Sequence, residues 1–134
     1  MLERIKSKKG FTLLELMIVI SIIGILATLA QPMFKVAVKK SKEAALKEDL
    51  FNLRNCLDQF YGDNGKYPDS LGDLTNKGYM RGIPHDPFTG TDDWGTKAPE
   101  STGDNPDDAS AGGIYDVYSK APGVGLDGRP YSEW

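Results

Sequence analysis

Residues 11–30, FTLLELMIVISIIGILATLA, form an almost uninterrupted apolar run, and this run limits what the chain can become. At about 1.5 Å per residue, a helix of this length extends about 30 Å, enough to cross the hydrocarbon core of a bilayer. Three details distinguish it from a plain anchor. A basic leader (Arg4, Lys6, Lys8, Lys9) ends at Gly10, an acid, Glu15, lies inside the run, and Pro32 interrupts a helical pattern that then resumes.

The chain has 134 residues, and setting aside the leader and the run leaves roughly 100, enough for one small domain. A single cysteine, Cys56, excludes an intrachain disulfide, and with a single histidine, His85, the usual Cys/His zinc cluster is excluded too. A bound metal would therefore be held mainly by oxygen. The net charge of -3 hides an asymmetry: Lys35, Lys39, Lys40, Lys42 and Lys47 make the segment after the run basic, and acids outnumber bases from Asp58 onward. A basic neck beside a membrane suits lipid headgroups, whereas an acidic outer domain argues against nucleic-acid binding. For each lysine taken singly, a solvated helix face explains the charge equally well. Leader and neck are both basic, so the positive-inside rule does not set the topology.

A secretory signal peptide is an alternative for the run, since Thr28-Leu29-Ala30 loosely resembles a small-x-small cleavage site. An h-region is shorter and uncharged, however, and the helical pattern continues. Leu46, Leu50, Leu53, Leu57 and Phe60 are spaced by four, three, four and three, one stripe of a helix, with Lys42, Glu43, Lys47, Glu48, Asp49 and Asp58 on the other positions. The expectation is one helix of about fifty residues, about 75 Å long and kinked or loosened near Pro32. Gly62-Asp63-Asn64-Gly65 ends it.

Beyond the helix, Ser70 or Asp69 would cap a single helical turn, and the Pro84-His85-Asp86-Pro87-Phe88 segment is extended. Residues 89–113 read as a long loop around Trp94. Residues 114–119, IYDVYS, are the clearest strand, with Ile114, Asp116 and Tyr118 on one face and Tyr115, Val117 and Ser119 on the other. Tyr131 and Trp134 would pack down as anchors. The sum is an α+β fold, a long kinked N-terminal helix packed on a small antiparallel sheet, divided at 1–10, 11–31, 32–62 and 63–134.

Glu15 is the first candidate site. A charge in hydrocarbon costs a few kcal/mol, so it usually has a partner or marks a function. Cleavage after Gly10 would free the amine of Phe11, one helical turn from Glu15, and a pair between neighbouring copies would set axial register. The alternative is that Glu15 snorkels to the interface. Cys56 reads as a small, partly buried residue, His85 as a loop residue, and Tyr61, Tyr67, Tyr115, Tyr118 and Tyr131 as core or interface aromatics. With no nucleophile and base arrangement, the chain does not read as an enzyme.

The segment Lys8-Lys9-Gly10-Phe11-Thr12-Leu13-Leu14-Glu15 resembles the prepilin peptidase site of type IV pilins and type II secretion pseudopilins, and Gly24 and Pro32 match that family's helix-loosening positions. Tyr67-Pro68, Pro84-His85-Asp86-Pro87-Phe88 and Tyr115-Asp116-Val117-Tyr118-Ser119 resemble the major, G-type pseudopilin. The resemblance implies cleavage by prepilin peptidase between Gly10 and Phe11, N-methylation of Phe11, and a helical filament of identical subunits in which Phe11, Glu15, Gly24 and Pro32 serve assembly. It implies partners among other pseudopilins and an inner-membrane assembly platform, a single membrane pass, and a periplasmic globular domain in a bacterial inner membrane. The filament would push folded proteins through the outer membrane. A calcium ion is also implied, with Ser119, Asp127 and Asp116 as the matching ligands. The loop at 120–129 carries one acid, Asp127, where the family commonly shows several, and a cap on the Asp127-Gly128 turn is the other reading of that residue. Asp92, Asp93, Asp104, Asp107 and Asp108 in the longer loop are further oxygen donors or a solvated face. Two rivals stand beside this reading: a type IV pilin of a surface pilus for adhesion, motility or DNA uptake, and a secreted soluble binding domain released after Ala30.

Overall fold

The computed structural model describes residues 9–100 and 112–134. The leader residues Arg4, Lys6 and Lys8 and the loop acids Asp104, Asp107 and Asp108 lie outside the described residues. The described elements are helix α1 (Leu13–Asn64), helix α2 (Gly72–Asn76), strands β1 (Gly95–Lys97) and β2 (Asp116–Tyr118), and a 3-10 turn at Tyr131–Glu133. The chain divides into two compact units, one ending at Val38 and one beginning at Lys39, with α1 contributing to both.

In the first unit, α1 starts where Thr12 caps it. The Glu15 N–H donates to Thr12 Oγ1 at 3.1 Å and the Leu16 N–H to the Thr12 carbonyl at 3.1 Å. Thr12-x-x-Glu15 is the spacing of a capping box, which places Glu15 among the orphan donors at the helix N-terminus, where a carboxylate is favoured. The hydroxyls in the apolar stretch are satisfied along the helix, Ser21 Oγ to the Met17 carbonyl and Thr28 Oγ1 to the Gly24 carbonyl at 2.8 Å. α1 remains helical through Pro32. Because proline has no N–H, the Thr28 carbonyl four residues earlier loses its regular donor, so loosening at this point is local to one rung of the ladder.

The second unit is built around the lower stripe. Leu46, Leu50, Leu53, Leu57 and Phe60 are all buried, and Leu74, Trp94, Val117, Ala121 and Tyr131 complete the core. Each buried Leu, Val or Phe side chain contributes about 1.5–3 kcal/mol relative to exposure. The stripe begins one step earlier than its apolar members suggest: Glu43, three residues before Leu46, is also buried, not on the solvated face. α1 ends at Asn64, where Gly65 takes a left-handed φ of 71° and its N–H reaches the Tyr61 carbonyl at 2.8 Å.

Three local expectations are corrected. α2 has no side-chain cap from Ser70 or Asp69; instead the Asp73 carboxylate reaches back to accept the Asp69 and Ser70 N–H groups at 3.1 and 3.2 Å. The strand expected at 114–119 spans only Asp116–Tyr118. Residues 89–113 are not all loop, because Gly95–Lys97 pairs antiparallel with β2 in the register Gly95 to Tyr118, Thr96 to Val117 and Lys97 to Asp116. Gly95 is required there, since a Cβ would overlap the Tyr118 ring.

Candidate functional site

Two regions carry the sequence-derived site residues, and each lies within one unit. The first is the start of α1. Gly10 and Phe11 are exposed immediately before the Thr12 cap, with Phe11 at 87 % of its full accessibility. An exposed, non-helical Gly10-Phe11 peptide is geometrically open to a peptidase. From Leu13 through Val36 the large apolar side chains are exposed on every side of the helix, and an eighteen-residue window there has a mean hydropathy of 2.5. A helix that is apolar all round needs lipid or other helices around it. Gly24 has open space at its Cβ position, so its value lies in backbone freedom and a narrow helix surface. Glu15 is exposed along with its neighbours.

The second region is the C-terminal loop. Gly125 and Gly128 close a turn, the Gly128 N–H donating to the Gly125 carbonyl at 3.0 Å and the Gly125 N–H to the Arg129 carbonyl at 2.8 Å, with an antiparallel bridge between Val124 and Pro130. Gly128 has a φ of 82°, the left-handed position that such three-residue hairpins demand. Asp127 caps this turn: its carboxylate accepts from the Arg129 N–H at 3.0 Å and from Arg129 Nε at 2.9 Å. These two Arg129 donors, the N–H first, hold the Asp127 carboxyl below the usual range.

The three residues matched to calcium are each engaged elsewhere. Asp116 Oδ1 takes Arg54 Nε at 2.7 Å and the Val117 N–H at 2.8 Å. The Ser119 hydroxyl donates to Asp86 Oδ2 and accepts from the Ala121 N–H at 3.1 Å. Among the described residues no three carboxylate, histidine or cysteine side chains come together as a metal ligand set. Protein groups already engage Asp116 Oδ1, the Ser119 hydroxyl and both Asp127 oxygens, and the donor set does not fit a calcium ion.

The residue that sequence reasoning missed is Glu43. Its Oε1 accepts from the Leu126 N–H at 2.8 Å and from Tyr131 Oη at 2.9 Å, so one buried carboxylate joins α1 to the turn of the C-terminal loop and to the 3-10 turn that follows it. Its position three residues before Leu46 was the available signal. Burial, then the Glu43 carboxylate, pushes the Tyr131 hydroxyl up to about 12. Three of the neck lysines are committed inside the second unit: Lys39 Nζ donates to the Val124 carbonyl at 2.9 Å, Lys47 lies 4.6 Å from the Trp134 ring centre, and Lys42 lies 6.0 Å from that of Phe88. Cys56 is half-buried, with its thiol 3.6 Å from the Tyr79 carbonyl. Asp86, in the Pro84–Phe88 segment, is 1 % exposed and also accepts the Phe88 N–H at 2.8 Å.

Comparison with known proteins supplies the family. The prokaryotic N-terminal methylation motif matches residues 5–30. The chain is similar to the type II secretion system core protein G of Aeromonas hydrophila, 35 % identical over 99 residues that cover 62 % of this chain and 69 % of that protein. It is 36 % identical over 103 residues to the protein of the same name from Klebsiella michiganensis, covering 65 % and 72 %. A fimbrial protein, EcpC of Eikenella corrodens, is 43 % identical over 65 residues, 46 % of this chain and 40 % of that protein. No solved structure matches the chain. With a leader ending in Lys9-Gly10, a capped helix whose large apolar side chains are exposed from Leu13 through Val36, and this similarity running well past that helix, the chain belongs to the type II secretion system core protein G family.

Proposed function

We propose that this chain is a structural subunit of the periplasmic pseudopilus of a type II secretion system, and that its work is mechanical rather than catalytic. The observation that carries the reading is the Gly10-Phe11 peptide, exposed and non-helical, placed directly before a capped helix whose apolar residues have no cover from Leu13 through Val36. Prepilin peptidase would cut that peptide and Phe11 would be N-methylated. Before assembly the helix would rest in the inner membrane as a single pass with the second unit in the periplasm; after assembly it would exchange lipid for the helices of neighbouring copies. The exchange is physically cheap because lipid tails and Leu or Ile side chains are similarly apolar.

Glu15 would then act as the register element. A carboxylate moved through an apolar bundle is costly unless it meets a cation, and the Phe11 amine of a neighbouring copy is the cation that cleavage creates. Gly24 and Pro32 would let the helix adapt to its neighbours, while Lys35 and Lys40 remain available for ion pairs between subunits.

The segment similarity to a fimbrial protein favours one second reading, a type IV pilin of a surface pilus. Deleting the gene separates the two. Accumulation of export cargo in the periplasm with surface pili intact supports the pseudopilus, and loss of pili with secretion intact overturns it. Mass spectrometry of the mature N-terminus adds a check against release as a soluble domain: methylated Phe11 supports a filament subunit, Gln31 a secreted one.

A further inference from the structure

We propose that the C-terminal segment, residues 119–134, closes on the second unit without a metal ion, with the Glu43 carboxylate as its anchor, the Arg54 and Arg129 side chains balancing the carboxylates in place of the calcium the resemblance implies, and Lys39 holding a backbone carbonyl. A bound divalent cation in such a loop does two things: it neutralises carboxylates that would otherwise repel one another, and it ties distant backbone oxygens to one point. Here both tasks are already performed by protein groups.

Neutralisation comes from arginine. Arg54 Nε pairs with Asp116 at 2.7 Å and Arg129 Nε with Asp127 at 2.9 Å, so two of the three residues matched to calcium face a guanidinium. The third, Ser119, is fully buried and turned to Asp86. Backbone carbonyls, the other donors a hard cation would recruit, are also in use. Arg54 Nη2 donates to the Val117 carbonyl at 3.1 Å and to the Trp134 main-chain oxygen at 2.6 Å, and Lys39 Nζ to the Val124 carbonyl at 2.9 Å. The Gly125 carbonyl accepts the Gly128 N–H at 3.0 Å.

Tying comes from α1. Glu43 is 7 % exposed, and one of its two carboxylate oxygens, Oε1, accepts both the Leu126 N–H and the Tyr131 hydroxyl. The Trp134 ring then packs against Gly125, where a Cβ would overlap it. The small cavity beside this loop, about 180 Å³, is lined by Lys47, Leu50, Arg54, Arg129 and Trp134. Three cationic side chains around one cavity repel a divalent cation instead of recruiting it.

The test uses the full chain in detergent micelles, its thermal unfolding followed by tryptophan fluorescence with chelator, with excess calcium, and with magnesium at equal ionic strength. The expected result is one midpoint, within about 1 °C, in all three conditions. Tyr131→Phe, which removes one donor from Glu43, is expected to lower it by about 4–8 °C, equally with calcium and with chelator; Glu43→Gln is expected to lower it further. A calcium-specific rise of several degrees that Asp127→Asn abolishes would overturn the proposal, as would a Tyr131→Phe midpoint equal to that of the unsubstituted chain. Because Tyr131→Phe keeps the ring and its packing, it reads the anchor even where Glu43→Gln does not fold. A calcium response would leave the pseudopilus reading standing, since neither arm measures secretion.

Discussion

Glu43 and Tyr131, 88 residues apart in the chain, share a hydrogen bond of 2.9 Å from the tyrosine hydroxyl to the glutamate carboxylate, in the buried interior of the second unit. Tyr131 also stacks on Phe88, with ring centres 4.3 Å apart, and meets Trp134 edge to face at 5.1 Å. The hydroxyl is thus held against an anion by a shell of aromatic rings.

This arrangement makes stability sensitive to alkali. Tyr131 has its hydroxyl pushed up to about 12, by burial first and by Glu43 second, against about 10 in an unfolded chain. Its contribution is fully present below pH 10 and is lost as the pH rises towards 12, because the unfolded state then releases the proton more readily. Unfolding midpoints measured between pH 9 and 12 should fall, and Tyr131→Phe should flatten that fall. An equally steep fall in the variant would mean that another group controls it.

The core stripe sets a second expectation. Leu53 is fully buried among stripe and sheet residues, and Leu53→Ala should cost about 2–5 kcal/mol. Chemical denaturation of the full chain in micelles measures it; Phe51→Ala, at a position 64 % exposed one residue from Leu50, should change stability by less than about 0.5 kcal/mol.

Gly95 offers a test of the sheet. Gly95→Ala places a methyl group into the Tyr118 ring and should cost about 1–3 kcal/mol. Combining it with Tyr118→Ala should restore part of that loss, since the ring that blocks the methyl is gone. Strict additivity of the two costs would show that β1 and β2 do not meet at this register.

At the start of α1, two roles for Glu15 separate cleanly. A capping box accepts Gln at this position as well as Glu, whereas a charge pair with a neighbouring amine does not. Glu15→Gln is therefore expected to preserve helicity but abolish filament assembly, and Thr12→Ala to cost about 1 kcal/mol of helix stability while assembly survives. Circular dichroism and electron microscopy of overexpressed filaments read the two effects. Normal filaments from Glu15→Gln would assign the residue to capping alone.

Gly10 governs the processing expectation. Replacement of Gly10 by Val should leave an uncleaved chain in the membrane fraction, detected as retention of the leader in the intact mass, with no methylated Phe11. Normal maturation of this variant would move the cut away from the Gly10-Phe11 peptide.

Much of the architecture was legible along the chain because its causes are local. The nearly continuous apolar run at 11–30 specifies a helix needing an apolar surround wherever it sits, and the 46, 50, 53, 57, 60 spacing specifies which face of the same helix is buried, since both depend only on helical geometry. The Thr12-x-x-Glu15 cap has an equally local cause, although the sequence reading passed over it. β1 was not legible: Gly95-Thr96-Lys97 has little intrinsic strand preference, and it is a strand because Asp116–Tyr118 supplies its hydrogen bonds. The same holds for the charged residues of the C-terminal region. The family resemblance offered Asp116, Ser119 and Asp127 as oxygen donors, but which cation Asp116 and Asp127 meet depended on Arg54 from α1 and Arg129 from the turn. Glu43 is the sharpest case. Its charge placed it on the solvated face, and its position on the stripe placed it inside; an anion can occupy that interior only because donors 83 and 88 residues away are delivered to it, and tertiary structure alone decides where such distant partners arrive.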